Sequence, residues 1–234
     1  MGTATASTPK PLLDVAGKPL IEYILAGLAR ANLRRLIVIT GYLGEQIESR
    51  LGDGVRFGFD EIVYRRQTRI DGTARALLLA AADVDDECFL LSWGDILVAP
   101  TFYAGFVDRF EASPCAAQLA VNEVDDPWQG AAVYVDADWR VERVDEKPPR
   151  GTATTGWNNA GIVALSPVIF DYARRLEPSE RGEFELPQAI ARMVADGLNV
   201  RAYPIRGFWS DVGTAGDLRR AREFAASGEG EPVE

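Results

Sequence analysis

The chain has 234 residues, 47% hydrophobic and 26% charged, which is enough to bury a core without disulfide or metal staples. Its net charge of −10 argues against nucleic acid or an anionic membrane surface as a partner. Histidine is absent, so the commonest general base and metal ligand is missing, and any chemistry must use carboxylates, lysines, arginines or backbone amides.

In chain order, PLIEYILAGLARANL carries Ile21, Ile24, Leu25 and Leu28 at helical spacing. RRLIVITG is a short apolar run, the mark of a strand buried on both faces. A helix at GEQIESRL, a strand at EIVYRRQ, a helix at GTARALLLAAADV and a strand at CFLLSWGD follow. This alternation predicts βαβ units and an α/β fold with a mixed, mainly parallel sheet flanked by helices.

Beyond Pro100 a helix through FYAGFVDRF gives way to AAQLAVNEV, GAAVYVDAD, RVERVDEKP and NNAGIVALS, four strand-like runs that suggest an added antiparallel layer. Helices at PVIFDYARRLE and LPQAIARMVADG, the strand NVRAYPI and a last helix from about Thr214 complete the pattern. One α/β domain over residues 1–224 is expected, with an acidic, glycine-rich, flexible tail over 225–234. No run approaches the roughly 20 apolar residues of a membrane span. MGTATASTPK lacks a signal-peptide layout, so the expected compartment is the cytoplasm. Cys88 and Cys115 lie in apolar runs and read as buried structural thiols.

Open α/β sheets bind ligands beyond the C-terminal ends of their strands. Asp95 ends the run CFLLSWGD, and Asp211 follows GFWS. Each alone reads as a turn or helix cap. If both strand ends face one crevice, the pair suits Mg²⁺, which takes one or two carboxylates plus phosphates and water.

Lys10, Lys18 and Lys147 each precede a proline, which disfavours helical backbone and lets a lysine project from an extended segment. The plain alternative is surface decoration. Glu146 beside Lys147 is either a pair of surface charges or a carboxylate for sugar hydroxyls next to an ammonium for phosphate. Gly72 and Thr73 open a helix after a strand, which permits close approach of a nucleotide and equally suits a simple cap. Asn158 and Asn159 read as a turn or as amides for sugar hydroxyls.

Taken together, PKPLLDVAGKPLIEYIL, Q-x4-GTA-x-AL, GD at a strand end, EKP, NAG and D-x-GT-x-x-D resemble the sugar-1-phosphate nucleotidyltransferases, the nucleotide-sugar pyrophosphorylases, from Thr8 to about Arg220. The resemblance implies a Rossmann-like core of the nucleotide-diphospho-sugar transferase kind. It also implies an Mg²⁺-dependent reaction of NTP with sugar 1-phosphate that gives NDP-sugar and pyrophosphate. It assigns Asp95 and Asp211 to the metal and Lys10 to the nucleotide phosphates. Gln67 and Gly72, with Thr73 beside them, fall to the nucleotide, and Gly130, Glu146 and Asn159 to the sugar. Lys147 falls to the sugar phosphate. Homo-oligomers are common in the family. The GTA motif leaves uridine, thymidine and guanosine nucleotides open, and the sugar is not named. Trp157, Asn158 and Phe208 are candidates to line a pocket or the core.

The family's opening strand and G-x-G-T-R loop have no counterpart here beyond a Met1-Gly2 remnant. The resemblance therefore implies weak or absent turnover by residues 1–234 alone, whether the sequence lacks its start or is a non-catalytic nucleotide-sugar-binding or regulatory homologue. A glycosyltransferase of related fold fits less well, because SWGDIL lacks an Asp-x-Asp motif.

Overall fold

The computed structural model describes residues 7–227. A 3-10 turn at Lys10–Leu12 leads into β1 (Asp14–Val15), β2 (Lys18–Pro19), α1 (Leu20–Arg30) and β3 (Arg35–Thr40). Next come α2 (Gly44–Leu51), β4 (Glu61–Arg66), α3 (Thr73–Leu78), β5 (Phe89–Ser92), β6 (Ile96–Val98) and α4 (Thr101–Ala112). Four strands follow, β7 (Ala117–Glu123), β8 (Ala131–Val135), β9 (Val141–Glu146) and β10 (Trp157–Leu165). The chain then runs through α5 (Ile169–Arg174), α6 (Leu186–Ala195), β11 (Val200–Pro204), β12 (Trp209–Asp211) and α7 (Ala215–Ala226). The described residues cluster into two compact units, one of residues 7–68, 93–109 and 207–227, the other of residues 69–92 and 110–206.

The first unit is assembled from three stretches of chain. β3 and β4 pair in parallel from Arg35↔Glu61 to Thr40↔Arg66. β6 and β12 pair antiparallel, with Asp211 opposite Ile96. The buried stripe of α1 is Leu20, Ile21, Tyr23, Ile24, Leu25 and Leu28, as its spacing predicts. Leu20 and Tyr23 pack with Val15, Leu97, Val212, Ala221 and Phe224 in one apolar cluster. Tyr23 satisfies its buried hydroxyl by donating to the Val15 carbonyl at 2.8 Å. Gly27 admits the ring of Tyr103 against α1; a Cβ there would lie 2.2 Å from the ring.

The second unit holds a six-stranded sheet in the order β11-β7-β10-β8-β9, with β5 also on β10. β10 is its spine. Asn158 pairs with Ala132 of β8, residues 162–165 pair with β5, and β7 runs along the other edge. The register on β7 shifts between Asn159 and Val163, where Gly161 takes φ +80. That is the extra-residue geometry of a bulge. α5 and α6 bury Ile169, Phe170, Leu186, Ile190 and Met193 against the sheet residues Leu119, Val133, Val163 and Val200.

The α/β class and the antiparallel layer after α4 are as the sequence reads. The parallel pairings among the described strands are β3–β4 and β7–β11; the rest are antiparallel. Leu36 to Ile39 of β3 are only half-buried rather than covered on both faces. α3 stops at Leu78 because the chain tightens into i→i+3 turns, with Ala80 N–H donating to Leu77 and Ala81 N–H to Leu78. Cys88 is exposed, contrary to expectation, because it precedes the first residue of β5; Cys115 is half-buried, its thiol donating to the Ala117 carbonyl at 3.2 Å, and neither forms a disulfide. Ala225 and Ala226, read as tail, belong to α7. The remaining tail, residues 228–234, and the Met1-Gly2 remnant lie outside the described residues.

Candidate active site

Asp95 does not end β5. It sits three residues beyond that strand, in the turn before β6, and the buried run Ile96–Val98 fixes its position. Lys10 lies in the 3-10 turn rather than in an extended segment, because Leu12 and Leu13 donate back to the Pro9 and Lys10 carbonyls. Gly94 lets this turn approach Asp95: a Cβ there would come within 3.2 Å of the Pro11 ring. The outcome is an ion pair, Lys10 Nζ to Asp95 Oδ2 at 3.2 Å, with side chains 42% and 25% exposed.

Asp211, the last residue of β12, stands beside Asp95. Val212 N–H donates to the Asp95 carbonyl at 2.9 Å, which extends the β6–β12 ladder to the two acidic residues. Desolvation pushes the Asp211 carboxyl above its ordinary range, the negative charges of Asp95 and Asp217 add to the rise, and Lys10 opposes it. The other aspartate of D-x-GT-x-x-D does different work. Asp217 Oδ2 accepts Thr214 N–H at 2.8 Å and Thr214 Oγ1 accepts Asp217 N–H at 3.2 Å, a reciprocal cap on α7. Asp217 also pairs with Arg220 at 2.8 Å. One motif thus supplies a charge at a strand end and a cap for the next helix.

Gln67, also in the first unit, continues the β3–β4 ladder, its N–H donating to Thr40 at 2.7 Å. Gly72 and Thr73 belong to the second unit. Gly72 has φ +118, and its Cα faces the Phe184 backbone so closely that a Cβ would lie 2.3 Å from that carbonyl oxygen. Thr73 Oγ1 accepts Leu186 N–H at 2.9 Å.

The other predicted sugar residues gather around β8, β9 and β10. Lys147 N–H donates to the Gly130 carbonyl at 2.8 Å, one step past Ala131↔Glu146. Lys147 is exposed and takes φ +44, the left-handed region, not the extended backbone expected before proline. A non-glycine residue held there marks local strain. A side chain at position 130 would lie 2.1 Å from Asn158 Oδ1, so glycine is required. Asn158 is a buried brace, donating to Asn122 Oδ1 at 3.0 Å and to its neighbour's carbonyl at 2.9 Å. Asn159 Oδ1 accepts Gly161 N–H at 3.1 Å and so pins the β10 bulge. Trp157 packs edge-on to Trp139 at 5.1 Å and Phe208 stacks on Phe224 at 4.1 Å, which places both in packing.

Glu146 is mostly buried, and desolvation raises its carboxyl above the ordinary range, against the pull of Lys147 and Arg181. Arg181 bridges Glu146 and the buried Glu185. Neither Arg181 nor Glu185 stood out in the sequence. Their signal is an arginine-glycine pair set among Glu180, Glu183 and Glu185, between two helical patterns.

The sequence profile of the nucleotidyl transferase family matches residues 4–228, and the chain belongs to that family. It is similar to the low-salt glycan biosynthesis nucleotidyltransferase of Haloferax volcanii, 34% identical over 94% of this chain and 61% of that one. It is also similar to the glucose-1-phosphate thymidylyltransferase of Streptomyces antibioticus, 31% identical over 92% of this chain and 59% of that one. The chain thus spans about three fifths of these relatives' length. A solved putative glucose-1-phosphate thymidylyltransferase from Bacillus anthracis, in complex with a sucrose, superposes with a TM-score of 0.86 at 26% identity, covering 96% of this chain and 89% of that one. Among the described residues no helix is long and apolar enough to cross a membrane.

Proposed function

We propose that this chain transfers a nucleotidyl group from an NTP to a sugar 1-phosphate in an Mg²⁺-dependent reaction, giving an NDP-sugar and pyrophosphate. The observation that carries the reading is the junction of Asp95, Asp211 and Lys10 at the end of one strand ladder. Among the described residues no group of three or more acidic or cysteine side chains is arranged to hold a metal alone. Two carboxylates with the remaining ligands from phosphate and water is the arrangement Mg²⁺ favours, so Asp95 and Asp211 fit it. Bound there, the cation would offset negative charge on the phosphate oxygens.

The reaction needs no protein nucleophile. An oxygen of the sugar phosphate attacks the α-phosphorus in line, the bond to the bridging oxygen breaks, and pyrophosphate leaves. Catalysis of this kind rests on positioning and charge neutralisation, by analogy with phosphoryl transfer generally. Lys10, tethered to Asp95, is the cation for the nucleotide phosphates, and Lys147 is the cation for the sugar phosphate. Glu146 accepts from sugar hydroxyls, with Gly130 and Asn159 shaping the same strand ends. Gln67, Gly72 and Thr73 serve the nucleotide; the Thr73 hydroxyl already accepts Leu186 N–H, so its part is to hold the turn.

Pyrophosphate release with pooled NTPs, pooled sugar 1-phosphates and Mg²⁺ tests this. Release that requires all three supports the reading, and splitting the pools names the substrates. Silence from folded protein that still binds an NDP-sugar would favour a binding or regulatory homologue instead.

A further inference from the structure

Within the second unit, one arginine serves two nearly buried carboxylates. Arg181 Nη2 lies 3.4 Å from Glu146 Oε1, and the same nitrogen is ion-paired with Glu185. The glutamate side chains are 12% and 7% exposed, the arginine 39%. One guanidinium charge thus serves both carboxylates through a single nitrogen.

The two partners are held differently. Glu185 lies in a segment zipped to the Asp71–Ala74 turn: Phe184 N–H donates to Asp71 at 2.8 Å, Ala74 N–H to Phe184 at 2.9 Å and Leu186 N–H to Thr73 Oγ1 at 2.9 Å. The Arg75 guanidinium covers the Phe184 ring at 4.0 Å. Arg181 instead rides a turn closed by Gly182 N–H to Ser179 and Ser179 N–H to Glu183, both at 2.8 Å, with Gly182 at φ +76. The fixed carboxylate is therefore the anchor, and the arginine on the turn is what it holds.

From this arrangement we propose that Glu185 is a positioning residue for substrate binding: it anchors Arg181, and Arg181 so anchored keeps Glu146 ionised and oriented towards sugar hydroxyls. The proposal rests on the reading of Glu146 as a sugar contact. Glu146 is faced by Lys147 next to it and by Arg181 and Glu183 from the turn.

Two independent readouts test it in the full chain. The first is kinetic, with dTTP and glucose 1-phosphate as probes. Glu185→Gln should raise KM for glucose 1-phosphate about tenfold, the scale seen when the outer partner of a liganding side chain is lost, and leave KM for dTTP unchanged. The effect should vanish in an Arg181→Ala background, since both changes cut the same chain of contacts. A full-sized effect in that background would make Glu185 a structural residue only.

The second readout is the carboxyl titration of Glu146 by ¹³C NMR. Removing a nearby negative charge would by itself lower the Glu146 midpoint, whereas losing Arg181 would raise it. A rise in Glu185→Gln supports the proposal; an unchanged or lowered midpoint overturns it. If Glu185→Gln fails to fold, Glu185→Asp, which keeps the charge but shortens the reach to Arg181, should show the same rise. Where the wild-type chain does not turn over these two probes, the substrates picked out by the pooled assay replace them, and the titration decides the role of Glu185 independently of turnover.

Discussion

Asp95 and Asp211 are neighbours through backbone: the amide that follows Asp211 donates to the carbonyl of Asp95 at 2.9 Å. The ladder keeps two like charges together that would otherwise part; burial first, and the Asp95 charge after it, raise the Asp211 carboxyl. Asp95→Asn keeps that ladder and removes one charge. Pyrophosphate release should fall by about 10²–10³, the scale for a lost preorganised electrostatic group, while the far-ultraviolet circular dichroism stays unchanged. Near-normal turnover would take Asp95 out of the site.

The Asp211 carboxyl also makes a stability prediction. Its folded pKa lies above the unfolded value, so its ionisation opposes folding. Its contribution is fully present below the ordinary aspartate pKa and is lost as pH rises through the raised folded value. In EDTA, Asp211→Asn should therefore melt higher than wild type at neutral pH, with the gap closing as pH falls through the carboxylate range. A variant that melts lower than wild type at neutral pH would mean the charge is stabilising. Added Mg²⁺ should raise the melting temperature of wild type and not of the variant.

Lys10 separates charge from stability. Its pair with Asp95 is half-exposed, and such pairs contribute about 0–1 kcal/mol. Lys10→Met should change the denaturant midpoint by that little and still lower turnover about tenfold or more, because a phosphate loses its counter-charge. Large destabilisation with intact turnover would make the lysine a structural tether.

Gly72 and Gly207 share φ +118, but only Gly72 faces neighbouring backbone, with nothing within 4 Å of a Cβ at Gly207. Gly72→Ala should cost upwards of about 2 kcal/mol, strain plus overlap, against about 1 kcal/mol of strain for Gly207→Ala. Urea denaturation measures both. Equal losses would mean that the close approach to Phe184 yields freely.

Long periodic elements were legible, as α1 and α2 show, because a stripe such as Ile21, Ile24, Leu25 and Leu28 is written directly in the spacing. The two residues of β1 and the three of β6 were not, since two or three residues carry no period. Asp95 and Asp211 could be picked out because each follows an apolar run and opens a turn. Arg181 and Glu185 could not, since their meaning lies in a contact with Glu146 made across the fold. The left-handed backbone of Lys147 was equally hidden, for it is imposed by the bond to Gly130, a partner that sequence spacing does not announce.

The β6–β12 ladder joins a stretch made earlier in synthesis to one made late, with residues 110–206 of the second unit made between them. Closing so long a loop costs little extra free energy but delays the contact. A nascent chain halted before Asp211 can already hold the second unit's sheet through β11, yet it lacks one of the two carboxylates. The Asp95–Asp211 neighbourhood is therefore completed by the last of the described strands to be made.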